Sequence, residues 1–289
     1  MTDVSIIGAG RLGTSLGYAL SKKRYRIKAL SCRTLSSAKE SRQIIGEGIA
    51  STDNVQAAKV GELVFLCLPD EEIVKVTRAL ASSEVNWSKK FVIHCSGLIP
   101  SEVLEPLKAK GALTASLHPI QSFAQKKTSP TKFENIYFGL EGCSEALALS
   151  RKIVQELGGR PLILQAKDKA LYHAACSTAS NFLVVLLDTA VSLLKQVGLQ
   201  EEEALHILLP LVKGTLHNVK KFNIRASLTG PVIRGDQKSI QKHLEALRNF
   251  PPYYETYTIL ALQALEMAKR EKKISPQKIK TLKNLLEGK

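Results

Sequence analysis

The run "VSIIGAGRLGTSLGYALSKK", which begins at Val4, constrains this chain more than any other stretch. Val4–Ile7 is short, apolar and rich in β-branched residues, the composition of a buried strand. It stops at Gly8-x-Gly10-x-x-Gly13 and resumes as a helical pattern. In a strand–turn–helix unit each glycine has its own work. Gly8 permits the tight turn, Gly10 lets a ligand approach the backbone, and Gly13 lets the helix lie close to the strand. The helix then starts at Arg11 and Leu12, whose unpaired N–H groups and partial positive charge face whatever sits above the turn. A pyrophosphate suits that place, so the opening predicts a dinucleotide-binding α/β fold.

The second strand, Arg26–Ser31, predicts which dinucleotide. An NAD site usually carries Asp or Glu about 20 residues on, at the end of this strand, to hold the ribose 2′-hydroxyl. No acid occurs between Thr14 and Lys39, and Ser31 and Arg33 stand there instead. Without an acid a 2′-phosphate is not repelled, and an arginine can bind it through two hydrogen bonds. The expected cofactor is NADP(H). The five scattered cysteines contain no CxxC, which favours reduced thiols, a cytoplasmic setting and no metal site. The apolar run from Phe182, "FLVVLLDTAVSLL", is interrupted by Asp188 and reads as a buried helix too short to span a bilayer. Net charge is +15, but Lys269–Lys289 alone holds eight basic residues against two acids. With no Arg-rich or aromatic-interleaved stretch, that distribution argues against nucleic acid and for a field that favours small anionic ligands.

Strand and helix alternate to about residue 166, which implies a parallel sheet with crossover helices. From 167 to 289 only helical periodicity remains. The chain therefore reads as a Rossmann-type domain, 1–166, and an all-helical substrate and dimerisation domain, 167–289. Its long apolar helices predict a homodimer. In an open α/β sheet, ligands bind beyond the carboxyl ends of the strands. Gly8, Arg33, Leu68-Pro69, Ser96 and His118 all fall at such ends. Taken singly, Ser96 is also a plausible turn serine, Pro69 a helix-start proline and His118 a structural histidine.

Candidate chemistry lies on the first long helix after the boundary. Lys169, His173, Ser177 and Asn181 are spaced i, i+4, i+8, i+12 on an otherwise apolar helix. Hydride reduction of a carbonyl leaves an alkoxide that needs a proton, which histidine or lysine can supply. Serine and asparagine can orient a substrate. A second cluster, "SLTGPVIRGD", concentrates Thr229, Arg234 and Asp236 in a break between helices. Arg234 could clamp a carboxylate. Asp236 could contact substrate or cap the next helix.

The glycine fingerprint, "LCLPD", "HCSGLIP", "SLHPIQSF", "KDKALYHAACSTASNFLVVLL" and "LTGPVIRGD" together resemble the Rossmann-like/DUF2520 family of oxidoreductases. That family is similar to a wider group of ketopantoate reductases, β-hydroxyacid dehydrogenases and pyrroline-5-carboxylate reductases. The resemblance implies a helical second domain like that of 6-phosphogluconate dehydrogenase, usually dimeric. It implies a catalytic lysine on the first helix after the boundary, for which both Lys169 and His173 are candidates, and a substrate-binding serine turn at Ser96. It also implies reduction of a small 2-oxo acid, 2-dehydropantoate (ketopantoate) first, as in pantothenate biosynthesis. A cyclic-imine reductase of the pyrroline-5-carboxylate type and a non-catalytic NADP-binding regulator are the alternatives.

Overall fold

A computed structural model of the chain describes residues 1–127 and 129–288. They form two compact units, Met1–Phe182 and Leu183–Lys289. The composition shift at 166/167 marks the end of the sheet. The division between the units falls later, inside a helix.

The first unit carries one eight-stranded sheet, β1 (Thr2–Ile7), β2 (Tyr25–Ser31), β3 (Ile49–Ser51), β4 (Leu63–Leu66), β5 (Phe91–His94), β6 (Leu113–Pro119), β7 (Tyr137–Gly142) and β8 (Arg160–Ile163), in the order 3-2-1-4-5-6-7-8. All neighbours are parallel except β6 and β7, where His118 opposes Gly139 in an antiparallel ladder. The helices between the strands are α1 (Arg11–Ser21), α2 (Leu35–Ile45), α3 (Asn54–Val60), α4 (Asp70–Ala81), α5 (Glu105–Lys108) and α6 (Ser144–Glu156). Alternating strand residues divide between two cores, as the pleat requires. Val4, Ile6, Phe65 and Ile93 pack with residues of α1, α2 and α6. Ile7, Val64, Leu66 and Val92 pack with α3, α4 and α5 around Trp87. The sheet is covered on both faces, which explains the near-continuous apolar runs of its central strands.

Helix α7 (Lys169–Gln196) begins in the first unit and continues into the second. With the short turn before it, the helical stretch spans Ala166–Gln196 and is long and apolar enough to cross a membrane. The run from Phe182 was expected to be buried and too short for that. It is lengthened on its N-terminal side by residues that continue the helix, and Phe182, Val184, Val185 and Leu186 are exposed. The second unit adds α8 (Glu201–Phe222), α9 (Ile224–Ser227), α10 (Pro231–Arg234), α11 (Gln237–Leu247), α12 (Pro251–Arg270) and α13 (Pro276–Leu286). Its core joins Val232, Ile240, Leu244, Leu265, Leu282 and Leu286. Pro210 lies inside α8 without ending it.

Candidate active site

The turn after β1 shows which glycines the fold itself demands. The N–H groups of Gly8 and Ala9 both donate to Ser31 O, at 3.0 Å each. Gly8 sits at φ +89°, and a Cβ there would stand 2.5 Å from Cys67 O. A Cβ on Gly13 would stand 2.5 Å from Gly8 O, so α1 can approach the turn only without one. Gly10 differs: the nearest heavy atom to a Cβ there is 4.0 Å away, and its φ of −79° is ordinary. Among the described residues no atom accounts for Gly10, whereas a ligand lying on the turn would. Helix α1 starts with no side-chain cap and no acid in its first turn. Arg11 is exposed there and Leu12 is half-buried. Its leading N–H groups are thus left to an anion.

At the end of β2 the two expected contacts separate. Arg33 is exposed beside Thr34, which caps α2. Ser31 is fully buried, and its hydroxyl donates to Asn54 Oδ1 at 2.7 Å. Its side chain thus ties β2 to α3, and only its carbonyl serves the glycine turn. Glu40, the first acid after the strand, pairs with Lys126 at 2.6 Å.

The ends of β4, β5 and β6 converge with the start of α7, all within the first unit. Leu68 flanks Gly8, its Cδ2 2.6 Å from where a Cβ would be, and Pro69 opens α4. Ser96 Oγ accepts from the N–H groups of Leu98 and Ile99, at 3.0 and 3.1 Å. The hydroxyl therefore closes its own turn. Gly97 abuts both His118 and His173, whose ring atoms lie 2.7–2.9 Å from a Cβ placed on it.

Lys169 is 1% exposed. Its Nζ donates to Ser96 O at 3.1 Å and to Ser116 Oγ, with Glu141 Oε1 3.9 Å away. Glu141 in turn accepts from the backbone N–H and hydroxyl of Ser101. Burial lowers the Lys169 pKa to about 8, against the opposing pull of Glu141. One turn on, Tyr172 Oη and His118 Nδ1 share a hydrogen bond of 2.7 Å. Burial, with the charges of His173 and Lys169 added, holds His118 neutral at a pKa of about 4. Burial, then Cys176, pushes the Tyr172 phenol upward. His173 lies edge-on to His118, ring centres 6.0 Å apart.

The face that α7 turns to the sheet is thus Lys169, Tyr172, His173 and Cys176, at i, i+3, i+4, i+7. The expected stripe at strict four-residue steps advances about 40° per step on a helix of 3.6 residues per turn. Asn181 is therefore about 120° round from Lys169, and it is exposed, while Ser177 is half-buried. Tyr172, Ser116 and Glu141 were missed; the i+3 position of Tyr172 was the available signal. In the second unit Thr229 and Arg234 are exposed. Asp236 caps α11, accepting from Ser239 N at 3.1 Å and Ser239 Oγ at 2.7 Å, bonds that also lower its pKa.

Residues 1–119 match the Rossmann-like domain, and residues 136–264 match the domain of unknown function DUF2520. No curated protein matches the chain. Among solved structures it is similar to a Bacteroides fragilis protein assigned as an NADP oxidoreductase, with 26% identity over 91% of this chain and 97% of that one, at a TM-score of 0.78. A Thermotoga maritima protein is 29% identical over 93% and 99% of the two chains, with a TM-score of 0.72. The fold is shared with a reductive aminase from Aspergillus terreus in complex with NADPH and ethyl levulinate: 20% identity, 99% and 93% coverage, TM-score 0.63. The chain thus carries a Rossmann-like domain followed by a DUF2520 domain.

Proposed function

We propose that this protein is an NADP(H)-dependent oxidoreductase that reduces a small, carboxylate-bearing C=O or C=N compound. The observation that carries the reading is Gly10, a glycine that no atom of the described residues explains, on a turn whose helix start has neither side-chain cap nor acid among them. Residues Gly8–Gly13 and the N-terminus of α1 would hold the pyrophosphate. Arg33 would take the 2′-phosphate, with Leu68, Pro69 and the Ser96–Gly97 turn beside the nicotinamide. When bound, the cofactor supplies the hydride.

The protein's share of the chemistry is to hold the acceptor against that turn and to deliver a proton from the polar group formed by His118, Tyr172 and His173. Lys169 serves differently. Its ammonium is spent on Ser96 O and Ser116 Oγ, so it fixes the turn. Within this class the first substrate reading is a 2-oxo acid, 2-dehydropantoate foremost. An imine is the second, favoured by the fold shared with a reductive aminase.

The working form is a homodimer. Val184, Val185, Ile207 and Leu211 on α7 and α8 are 51–67% exposed, which is apolar surface that a second copy would cover. The reading is tested by NADPH oxidation with a panel of 2-oxo acids and cyclic imines. Turnover of one class names the substrate. Tight NADPH binding with no turnover on any member would make the protein a binding module and overturn the enzyme reading.

A further inference from the structure

We propose that Tyr172 is the proton donor of the reduction, with His118 the residue that reprotonates it; the inference rests on the reductase reading above. Three groups near the Ser96–Gly97 turn could give a proton, and their contacts separate them. Lys169 is buried and its ammonium is bonded to Ser96 O and Ser116 Oγ, turned into the sheet. His173 packs edge-on against the His118 ring, and among the described residues it has no hydrogen-bond partner to fix which nitrogen carries its proton. Tyr172 alone has its acidic oxygen fixed, 2.7 Å from His118 Nδ1. That oxygen lies over Gly139, where a Cβ would stand 2.7 Å from it, so the absence of a side chain on β7 makes its seat. His118 and Gly139 face each other across the β6–β7 ladder, and the phenol rests on the pair.

The proton inventory closes. Hydride from NADPH adds to the carbon of the C=O or C=N bond, and the π pair moves to oxygen or nitrogen. That atom takes the proton of the Tyr172 O–H. The phenolate takes the Nδ1 proton of His118, and Nε2 of the same ring takes from solvent the one proton that the net reaction consumes. The ring is left neutral with its proton on Nε2 and returns to the Nδ1–H form by proton exchange with solvent before the next turnover. His118 suits this because burial keeps its ring uncharged, able to donate at one nitrogen while accepting at the other. The groups around the pair are His94 and Cys95 at the end of β5, and Lys169, His173 and Cys176 on α7. Among them Lys169 and His173 act on His118 to lower its pKa, and Cys176 raises that of the phenol.

The test is Tyr172→Phe, which keeps the ring and removes only the hydroxyl, and His118→Gln beside it. Tyr172→Phe should cut kcat about 100- to 10,000-fold, the usual worth of general acid catalysis, with NADPH affinity unchanged. The wild-type kcat should stay level from about pH 5 to about 7.5, above the pKa of about 4 at His118 and below that of about 8 at Lys169. A histidine donor would instead lose about tenfold per pH unit above its pKa. Imidazole ¹⁵N spectra without cofactor add a readout independent of turnover: the His118 Nδ1 resonance should move in Tyr172→Phe. The assignment is overturned if Tyr172→Phe keeps more than half the turnover, if kcat falls with a histidine-like pKa, or if the His118 signal does not move. If Tyr172→Phe fails to fold, a His118→Gln variant that binds NADPH and keeps full kcat overturns it equally. A wild-type protein that reduces nothing in the panel would overturn the reductase reading, and the spectra would then decide the hydrogen-bonded pair on its own.

Discussion

Substituting the three glycines of the opening turn one at a time should separate what the fold needs from what the cofactor needs. In Gly8→Ala the new Cβ meets Cys67 O at 2.5 Å, at a φ of +89°. The left-handed backbone alone costs roughly 1–2 kcal/mol for a residue with a side chain. The contact with a strand-end carbonyl must be relieved by moving backbone, so about 3 kcal/mol in total is expected from strain of this kind. For a unit of this size that is a fall in melting temperature of roughly 6–12 °C. Gly13→Ala carries a similar clash, 2.5 Å to Gly8 O, without the unfavourable φ. In Gly10→Ala the Cβ has 4.0 Å of clearance, so stability should change by no more than about 0.5 kcal/mol. The same methyl group stands where the pyrophosphate would approach. Loss of one or two charge-assisted N–H contacts, each worth about 1.5–3 kcal/mol, should weaken NADPH binding by roughly tenfold or more. The assay is a melting curve and a fluorescence titration with NADPH on each variant. The reasoning fails if Gly10→Ala binds NADPH as the wild type does, or if it is destabilised as much as Gly8→Ala.

Further outcomes are expected. NADPH should bind more tightly than NADH, and Arg33→Ala should erase most of the preference; equal affinities in the wild type would refute the placement of the 2′-phosphate. Light scattering at micromolar concentration should give a dimer, and Leu211→Glu with Val184→Glu should give monomers; a monomeric wild type would leave the exposed faces of α7 and α8 unexplained. Because Lys169 has its pKa lowered to about 8 in the fold, the unfolded chain binds more protons between about pH 8 and 10.5. Lys169 therefore contributes a rise in stability with pH across that window. Lys169→Met should remove that rise in denaturant titrations at pH 7.5 and 10, and an unchanged difference between the two pH values would contradict the buried ammonium.

The glycine turn was legible in the sequence because most of its requirements are local. Gly13 is dictated chiefly by Gly8 O, five residues away, and Gly8 by its own left-handed φ, so spacing reports them, although Cys67, which also excludes a side chain at Gly8, is distant in sequence. Arg33 follows its strand directly, and the missing acid is visible by inspection. Elements defined by distant partners were not legible in this way. Three residues of β3 exist because Ala29, Leu30 and Ser31 pair with them, and no period can be read from so short a strand. The antiparallel β7 follows from how the chain returns after Pro130–Phe133, not from its own pattern. Ser31 was placed at the cofactor because it ends a strand, yet its hydroxyl is captured by Asn54, 23 residues on. On α7, polar residues four apart suggested a stripe, whereas the contacts follow the 3.6-residue period and bring in Tyr172. Asp236 admitted two readings in sequence, and the hydrogen bonds to Ser239 give it the cap.

The central claim is that this chain moves hydride from NADPH to a small carbonyl or imine. Its most direct measurement is mass spectrometry of the product after incubation with NADPH deuterated at the transferable position of the nicotinamide. The account predicts one deuterium on the former C=O or C=N carbon of a 2-oxo acid or cyclic imine, formed in step with NADPH loss and absent in Gly10→Ala at the same cofactor concentration. NADPH bound tightly, yet no deuterium in any product of the panel, would contradict it.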